Sequence, residues 1–497
     1  MSTRPQFYPN NLQLPQIDQT TLRGIHADLQ KAVLNGFLTP SGIALAYLRL
    51  AHQTPSLAAD LSSESLPDFY TLASARIPQT GPNLPLEIGG LSPLPSRSPV
   101  AAAVLRIFHR AATGRADTIN ETDIKCIKDA VQLSLSHGAV AYYHGHHLGA
   151  DEMVFGRAGL LWALLNIRAC VAGFPSAAKK LILPILEGIP SLVAVIIEDG
   201  REGSAEYVKK HGNADALPLM WTWKKGNYGI GWYLTIEAGI IPILLACEAD
   251  EITNHLPEIG ATITGLCNIC IANNGHLPTT IPPHSSSHEA PLVQICHGAP
   301  AFLALLACAM KHHDLLLNCW APEWEEAIHL AAEKVWEQGL LSKGGSLCHG
   351  IAGNAWPLLL LQDVYEYHGE TLTGAREEYV ARTSNRVTAR HALSGEYFLS
   401  RALAMLLHCR ETRPYNRSTG PPAAGNDYRM PDQPYSFFEG LAGTLCAWAE
   451  ACAAIMGLRR KMELNGVGLQ QDAAFEQSVR QILGFPCLGG NGLHGVL

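Results

Sequence analysis

Several absences narrow the field at once. The 36 Lys and Arg residues are scattered among 44 Asp and Glu, the net charge is −8, and no basic stripe or block occurs. A phosphate backbone or an anionic membrane surface is therefore not expected as a partner, and nucleic acid is set aside. The first residues, Met1 to Asn10, contain no apolar h-region, so no secretory signal is expected and a cytoplasmic location is. No apolar run reaches the roughly twenty residues that a bilayer span needs. The greasiest stretch, 181–197, is interrupted by Pro184, Glu187 and Pro190 and reads as a buried helix pair rather than a transmembrane segment. The candidate metal ligands among the 13 cysteines are not compact Cys-x-x-Cys clusters of the zinc-finger kind. Most of them, such as Cys247, Cys308, Cys446 and Cys452, sit inside apolar segments and read as reduced core thiols.

Strand signals are few as well, whereas apolar residues at three- and four-residue spacing predict helices over 43–52, 100–112, 160–171, 301–311 and 324–337. The fold is expected to be all-α, and the 47% hydrophobic content is enough for an extensive core. A glycine-bearing junction recurs ahead of apolar helices, in Gly156-Arg157-Ala158-Gly159, Cys348-His349-Gly350-Ile351-Ala352-Gly353 and Glu439-Gly440-Leu441-Ala442-Gly443, with weaker copies at Gly42, Gly239 and Gly298. Small residues at each helix start allow backbones to approach closely at one end of a barrel. Helices that are apolar nearly all round form an inner ring, and amphipathic stretches such as 324–338 and 380–391 form an outer one. The expectation is a double-ringed α/α toroid. The Pro-, Ser- and Gly-rich stretches 56–98 and 413–433 read as loops within it, not as domain linkers.

Two Cys-His-Gly tripeptides, Cys296-His297-Gly298 and Cys348-His349-Gly350, each open a long apolar run. They stand about fifty residues apart in equivalent repeat positions, so a toroid brings them to one centre. Neighbouring residues such as Cys348 and His349 cannot share a helix face, yet at an irregular helix entrance both can aim at one ion. Two thiolates and one imidazole leave a tetrahedral zinc one position short, the mark of a catalytic site. Spacing alone leaves buried core thiols as the alternative.

These segments, together with Leu292 to Pro300 and Pro434-Tyr435-Ser436-Phe437-Phe438-Glu439-Gly440, resemble the motifs of lanthionine synthetase C-like proteins, the eukaryotic branch more closely than the bacterial one. The resemblance covers most of the chain and implies a single toroid domain over 1–497, with 1–20 as an N-terminal arm, seven inner and seven outer helices, and Zn2+ held by Cys296, Cys348 and His349. It implies that a substrate thiol is kept as thiolate at the metal and adds to the β-carbon of dehydroalanine or dehydrobutyrine, with glutathione as the thiol and a dehydrated peptide or protein as its acceptor. It further implies that Lys343, Arg429 and Arg4 anchor the carboxylates of glutathione, while Arg157 holds the repeat junction.

One position departs from the family pattern. Where relatives carry Ala-His-Gly, with a histidine expected to move the proton, this chain reads Glu237-Ala238-Gly239. Alanine transfers no proton, and general acid–base help is worth about 10² to 10⁴ in rate. Glu237, His297 and Glu152 are the substitutes that sequence neighbourhood offers, Glu237 also being a carboxylate favoured at a helix start. The expectation is a zinc-dependent thiol transferase; the alternative is a weakened relative that binds zinc and glutathione as a sensor or scaffold.

Overall fold

The computed structural model describes residues 4–36, 43–60, 66–80, 85–94, 98–143, 146–171, 173–224, 227–228, 237–278, 281, 292–385, 391–417 and 427–487. Among these, seven helices form a closed inner ring: Ala44–His52, Pro99–Ala112, Arg157–Val171, Glu237–Leu244, Ala299–Lys311, Ile351–Tyr367 and Leu441–Glu463. Each packs on the next, and the seventh returns to the first. They are apolar on almost every face, and Ala299–Lys311 is buried at all but its last residue, so only a position with neighbours on both sides removes them from water. A start signal marks where such a helix begins. Ser98 accepts the amide of Val100 ahead of Pro99, which supplies one orphan donor and a preset φ.

Seven further helices, Gln19–Gly36, Phe69–Ser74, Glu121–Leu135, Ile189–His211, Leu256–Ala272, Pro322–Gln338 and Gly395–His408, make the outer ring. Gln19–Gly36 packs on the seventh inner helix, Phe69–Ser74 on the first, Pro322–Gln338 on the fifth and Gly395–His408 on the sixth. Their inward stripes are buried and their outward faces polar; in Pro322–Gln338 the buried residues are Trp324, Ala327, Ile328, Ala331, Ala332 and Val335. The fold is thus all-α and an α/α toroid, decorated by two short antiparallel hairpins, 140–143 with 146–149 and 222–224 with 227–228.

The repeated glycines have a sharper role than crowding between helices. A Cβ on Gly353 would lie 1.8 Å from the carbonyl oxygen of Leu347, and one on Gly443 would lie 2.1 Å from that of Phe437. In each case the loop six residues earlier folds back onto the helix start, and only a hydrogen fits between them. All loops of this kind gather at the end of the ring where the inner helices begin.

Three expectations are corrected. The stretch 181–197 is not a buried pair: it spans the helix Ser176–Leu186, which packs on Glu121–Leu135 and Arg157–Val171, and the start of the outer helix Ile189–His211, and Leu183 is 50% exposed. Ser176–His211 and Leu441–Glu463 are long and apolar enough to cross a membrane by length and composition, and the bent pair Ala299–Lys311 with His313–Cys319 passes together. Leu441–Glu463 spends that apolar surface inside the ring, 94% buried. The stretch 380–391 is not one helix, because Gly369–Thr383 ends where Ser384 turns left-handed, at φ 61°; residues 386–390 lie outside the described set. Finally, 56–98 is more than loop, since it contributes the outer helix Phe69–Ser74.

Along the inner helices the chain's final described residues fold inward. Glu450 of the seventh inner helix accepts the amides of Leu483 and Gly484 at 3.2 and 2.6 Å and the Gln53 side chain at 2.6 Å. Arg49 donates to the Gly484 carbonyl at 2.5 Å. Phe485 is fully buried edge-on against Trp356, with centroids 5.2 Å apart.

Candidate metal centre

The fifth and sixth inner helices each begin at a loop that carries a cysteine, and the two loops are stitched together. The amide of Cys296 donates to the carbonyl of Cys348 at 3.1 Å, and the amide of Cys348 donates to the carbonyl of Phe438 at 2.7 Å. The first of these loops closes on itself, Gln294 and His297 exchanging two backbone hydrogen bonds of 3.1 and 2.9 Å. Gly298 then turns at φ 104°. Asn354, buried in the sixth helix, donates to the carbonyls of Val293 and Gly339 at 2.9 and 3.1 Å. It ties both flanks of the site to one helix.

This scaffold brings Cys296, Cys348 and His349 together, with one ligand atom of each within 4.8 Å of the others; among the described residues it is the one such group of His, Cys, Asp or Glu. Both cysteines are buried and His349 is half-buried. The fit to a metal ion rests on this donor chemistry: two sulfurs and a nitrogen suit a tetrahedral ion and leave a fourth position open. The thiols also polarise each other. The hydrogen bond from Cys296 holds the Cys348 thiol below the ordinary range against the cost of burial, and His349 adds to this effect. Cys296 is pushed well above it, first by burial and then by Cys348. Of the pair, one proton is lost readily and the second is retained.

The three cations expected to anchor a ligand lie on adjoining segments. Residues 6–8 of the N-terminal arm pair with 340–342, through Tyr8 to Leu340 at 2.8 Å and Ser342 to Gln6 at 3.1 Å, while the amide of Arg429 donates to Ser342 at 2.8 Å. Lys343 is close enough to the sulfurs to favour a Cys296 thiolate, and its Nζ lies 3.5 Å from Gln294 Oε1. Arg4 and Arg429 sit further out and spend their guanidinium groups on Asp427 and Asp432, both at 2.5 Å. These exposed pairs are worth little and can be exchanged for a ligand carboxylate.

The expected proton-transfer residues are spread out. His297 follows Cys296 directly but stands outside the metal-binding group. Glu237 opens the fourth inner helix, its side chain outside the described set, and Ala238 beside it is buried. Glu152 lies in the loop ahead of the third inner helix, buried, with Oε2 accepting the amide of Phe155 at 2.6 Å and Oε1 left without a partner. Burial raises its carboxyl to about 8. Arg157 is a strut: fully buried, it bonds Asp151, Asp199 and the carbonyls of Ser134 and His137.

Two residues near the sulfurs were not singled out from sequence. Gln294 sits between Lys343 and Cys296. Glu439, in the loop before the seventh inner helix, is close enough to Cys348 to oppose its ionisation. The only sequence signal for Glu439 was its equivalence to the other junction residues.

Comparison with known proteins identifies the family. The lanthionine synthetase C-like protein family matches residues 101–400, and the chain belongs to that family. It is 26% identical to the LanC-like protein GCL1 of Arabidopsis thaliana over 305 residues, 61% of this chain and 55% of that protein, so the match spans about half of that relative. It is 24% identical over 355 residues to a Danio rerio protein named glutathione S-transferase LANCL1, covering 70% of this chain and 67% of the relative. Among solved structures it is similar to nisin cyclase, at a TM-score of 0.32 and 13% identity, over 65% of this chain and 94% of that one.

Proposed function

We propose that the protein is a cytoplasmic, zinc-dependent enzyme that adds glutathione, or a related thiol, to dehydroalanine or dehydrobutyrine residues in peptides or proteins. The observation that carries this reading is the convergence of Cys296, Cys348 and His349 with an open fourth position beside Lys343. Zinc bound there would supply a Lewis acid that keeps a thiol ionised at neutral pH. The transferase name printed for the Danio rerio relative supports the choice of glutathione.

The chain's own groups then divide the remaining work. Lys343 attracts the anionic tripeptide at short range, and Arg429 and Arg4 meet its carboxylates at the rim. Burial raises the Glu152 carboxyl to about 8, which makes it one candidate, with Glu237 and His297, for protonating the carbanion that thiol addition creates. The loops of the fifth and sixth inner helices hold the two cysteines in register, so little reorganisation is needed when a substrate arrives.

The test is incubation of zinc-loaded protein with glutathione and a dehydrobutyrine peptide, read by mass spectrometry. An adduct is expected, and it should vanish in Cys348→Ala. Zinc-loaded protein that forms none would sink the enzymatic reading. A second reading, a zinc- and glutathione-binding sensor or scaffold, is favoured by the buried Ala238 in place of a histidine. Glutathione binding by calorimetry without turnover would select it.

A further inference from the structure

A cavity of about 660 Å³ is lined by the first three inner helices, by residues of the segments 76–78 and 93–94 and by the loop before the seventh inner helix, and Cys348 is part of its lining. That volume is within the range of sites for small molecules. It far exceeds what the methyl or methylene of a dehydrated residue fills. We propose that this cavity takes the apolar tail of a small α,β-unsaturated carbonyl compound, such as a long-chain 2-alkenal, and that the protein conjugates thiols to such electrophiles. The inference rests on the thiol-addition reading above and extends it to a second substrate class.

Depth and chemistry of the walls carry it. The second inner helix contributes Ser98, Ala101, Ala102, Leu105 and Phe108 to the lining, a face at three- and four-residue spacing. Ten residues at about 1.5 Å each put Phe108 about 15 Å below Ser98, deeper than an amino-acid side chain reaches from a peptide held at the mouth. A peptide backbone entering that far would need hydrogen-bond partners along its length. The deep wall of Val104, Leu105, Phe108 and Trp162 offers carbon and a single indole nitrogen. The polar lining groups are Arg76, Cys348, Gln433, Ser436, Glu439 and Ser98, and the Ser98 hydroxyl is already spent on the carbonyl of Gly90 at 2.6 Å. An unbranched hydrocarbon tail needs no partners, while its conjugated head stays at Cys348, where the thiol is presented.

The reaction balances without any oxidant or reductant. The thiolate sulfur forms a bond to the β-carbon of the alkenal, the π pair moves to the carbonyl oxygen as an enolate, and the α-carbon gains one proton, matching the one the thiol gave up. Nothing leaves.

Two arms test it. In the first, zinc-loaded protein and glutathione are given trans-2-nonenal, trans-2-butenal and a dehydrobutyrine peptide. The ratio of kcat/KM for nonenal over butenal should fall about tenfold or more in Ala102→Phe and in Leu105→Phe, which fill the cavity. In the second, metal-free protein binds the apolar fluorophore N-phenyl-1-naphthylamine, and nonanal, but not propanal, should displace it from wild type. An unchanged ratio in both variants, or failure of nonanal to displace the probe, overturns the inference. Adduct with the peptide but not with nonenal also overturns it and leaves the proposed function intact; no adduct with any electrophile sinks both.

Discussion

The amide of Cys296 donates to the carbonyl of Cys348 at 3.1 Å, so the two thiols hang from peptide groups that are bonded to each other. Their separation is set by backbone and not by flexible side chains. A metal ion therefore meets a preformed pair and spends little of its binding energy on ordering the loops.

Metal content should follow these three residues. Wild type is expected to bind about one zinc per chain. Cys296→Ala, Cys348→Ala and His349→Ala should each lower that stoichiometry while leaving the far-ultraviolet circular dichroism helical. Elemental analysis after dialysis against a mild chelator is the measurement, and full zinc retention in all three variants would remove the site.

Thiol reactivity in the metal-free protein should show the asymmetry of the pair. Cys348 is drawn below the ordinary thiol range chiefly by the hydrogen bond from Cys296. The pH midpoint for its alkylation should lie below that of a free cysteine and rise in Cys296→Ala. Peptide mapping of iodoacetamide adducts across pH reads it out.

Glu152 makes stability fall as pH rises. Its carboxyl is raised from the ordinary 4.5 to about 8 by burial, so the folded state binds the extra proton between those values and loses stability as it is titrated away. Below 4.5 the group is protonated in both states and contributes no difference. Glu152→Gln keeps an acceptor for the Phe155 amide. Relative to wild type it should gain on the order of a few kcal/mol by pH 8 and little at pH 4. Urea midpoints at the two pH values decide this, and an equal gain at both would contradict it.

Gly353→Ala should be severely destabilising. Its Cβ would sit 1.8 Å from the Leu347 carbonyl, and relief requires moving the loop that carries Cys348. A loss of about 3 kcal/mol or more is expected, together with loss of zinc. Gly24→Ala, with nothing within 4 Å of the new methyl, is the control and should be close to neutral or stabilising.

Ala238→His separates the two readings of function. If the missing histidine limits a working enzyme, the variant should raise kcat for the dehydrobutyrine peptide, within the roughly 10² to 10⁴ that acid–base help supplies. Appearance of turnover from a silent wild type would instead identify the natural protein as a binder.

What the sequence disclosed and what it withheld follow from range. Inner helices such as Ala299–Lys311 and Leu441–Glu463 were legible because an all-round apolar segment admits one environment. The grouping of Cys296, Cys348 and His349 was legible because a Cys-His-Gly at a helix start is a local signal. Phe69–Ser74 was hidden because six residues in a Pro- and Ser-rich stretch carry too little periodicity, and only its packing on the first inner helix makes it part of the ring. The end of Gly369–Thr383 was misplaced because Ser384 in a left-handed turn has no strong composition cue. Glu439 and Gln294 could not be assigned from sequence, since Glu439 meets Cys348 from 91 residues away and Gln294 meets Lys343 from 49 residues away. The bond from Arg4 to Asp427 joins residues 423 apart, beyond any local pattern.

The closure of the ring also sets a timetable. Gln19–Gly36 packs on Leu441–Glu463, and Gln53 bonds Glu450 and Gln481 across 397 and 428 residues. Gln19–Gly36 therefore waits for the synthesis of Leu441–Glu463 before its partner exists. Loop closure over that span adds little to the equilibrium cost but delays the event. Until then the open arc exposes the greasy flanks of its first and latest helices, a surface that invites aggregation. The ring is complete only once Leu441–Glu463 meets Gln19–Gly36.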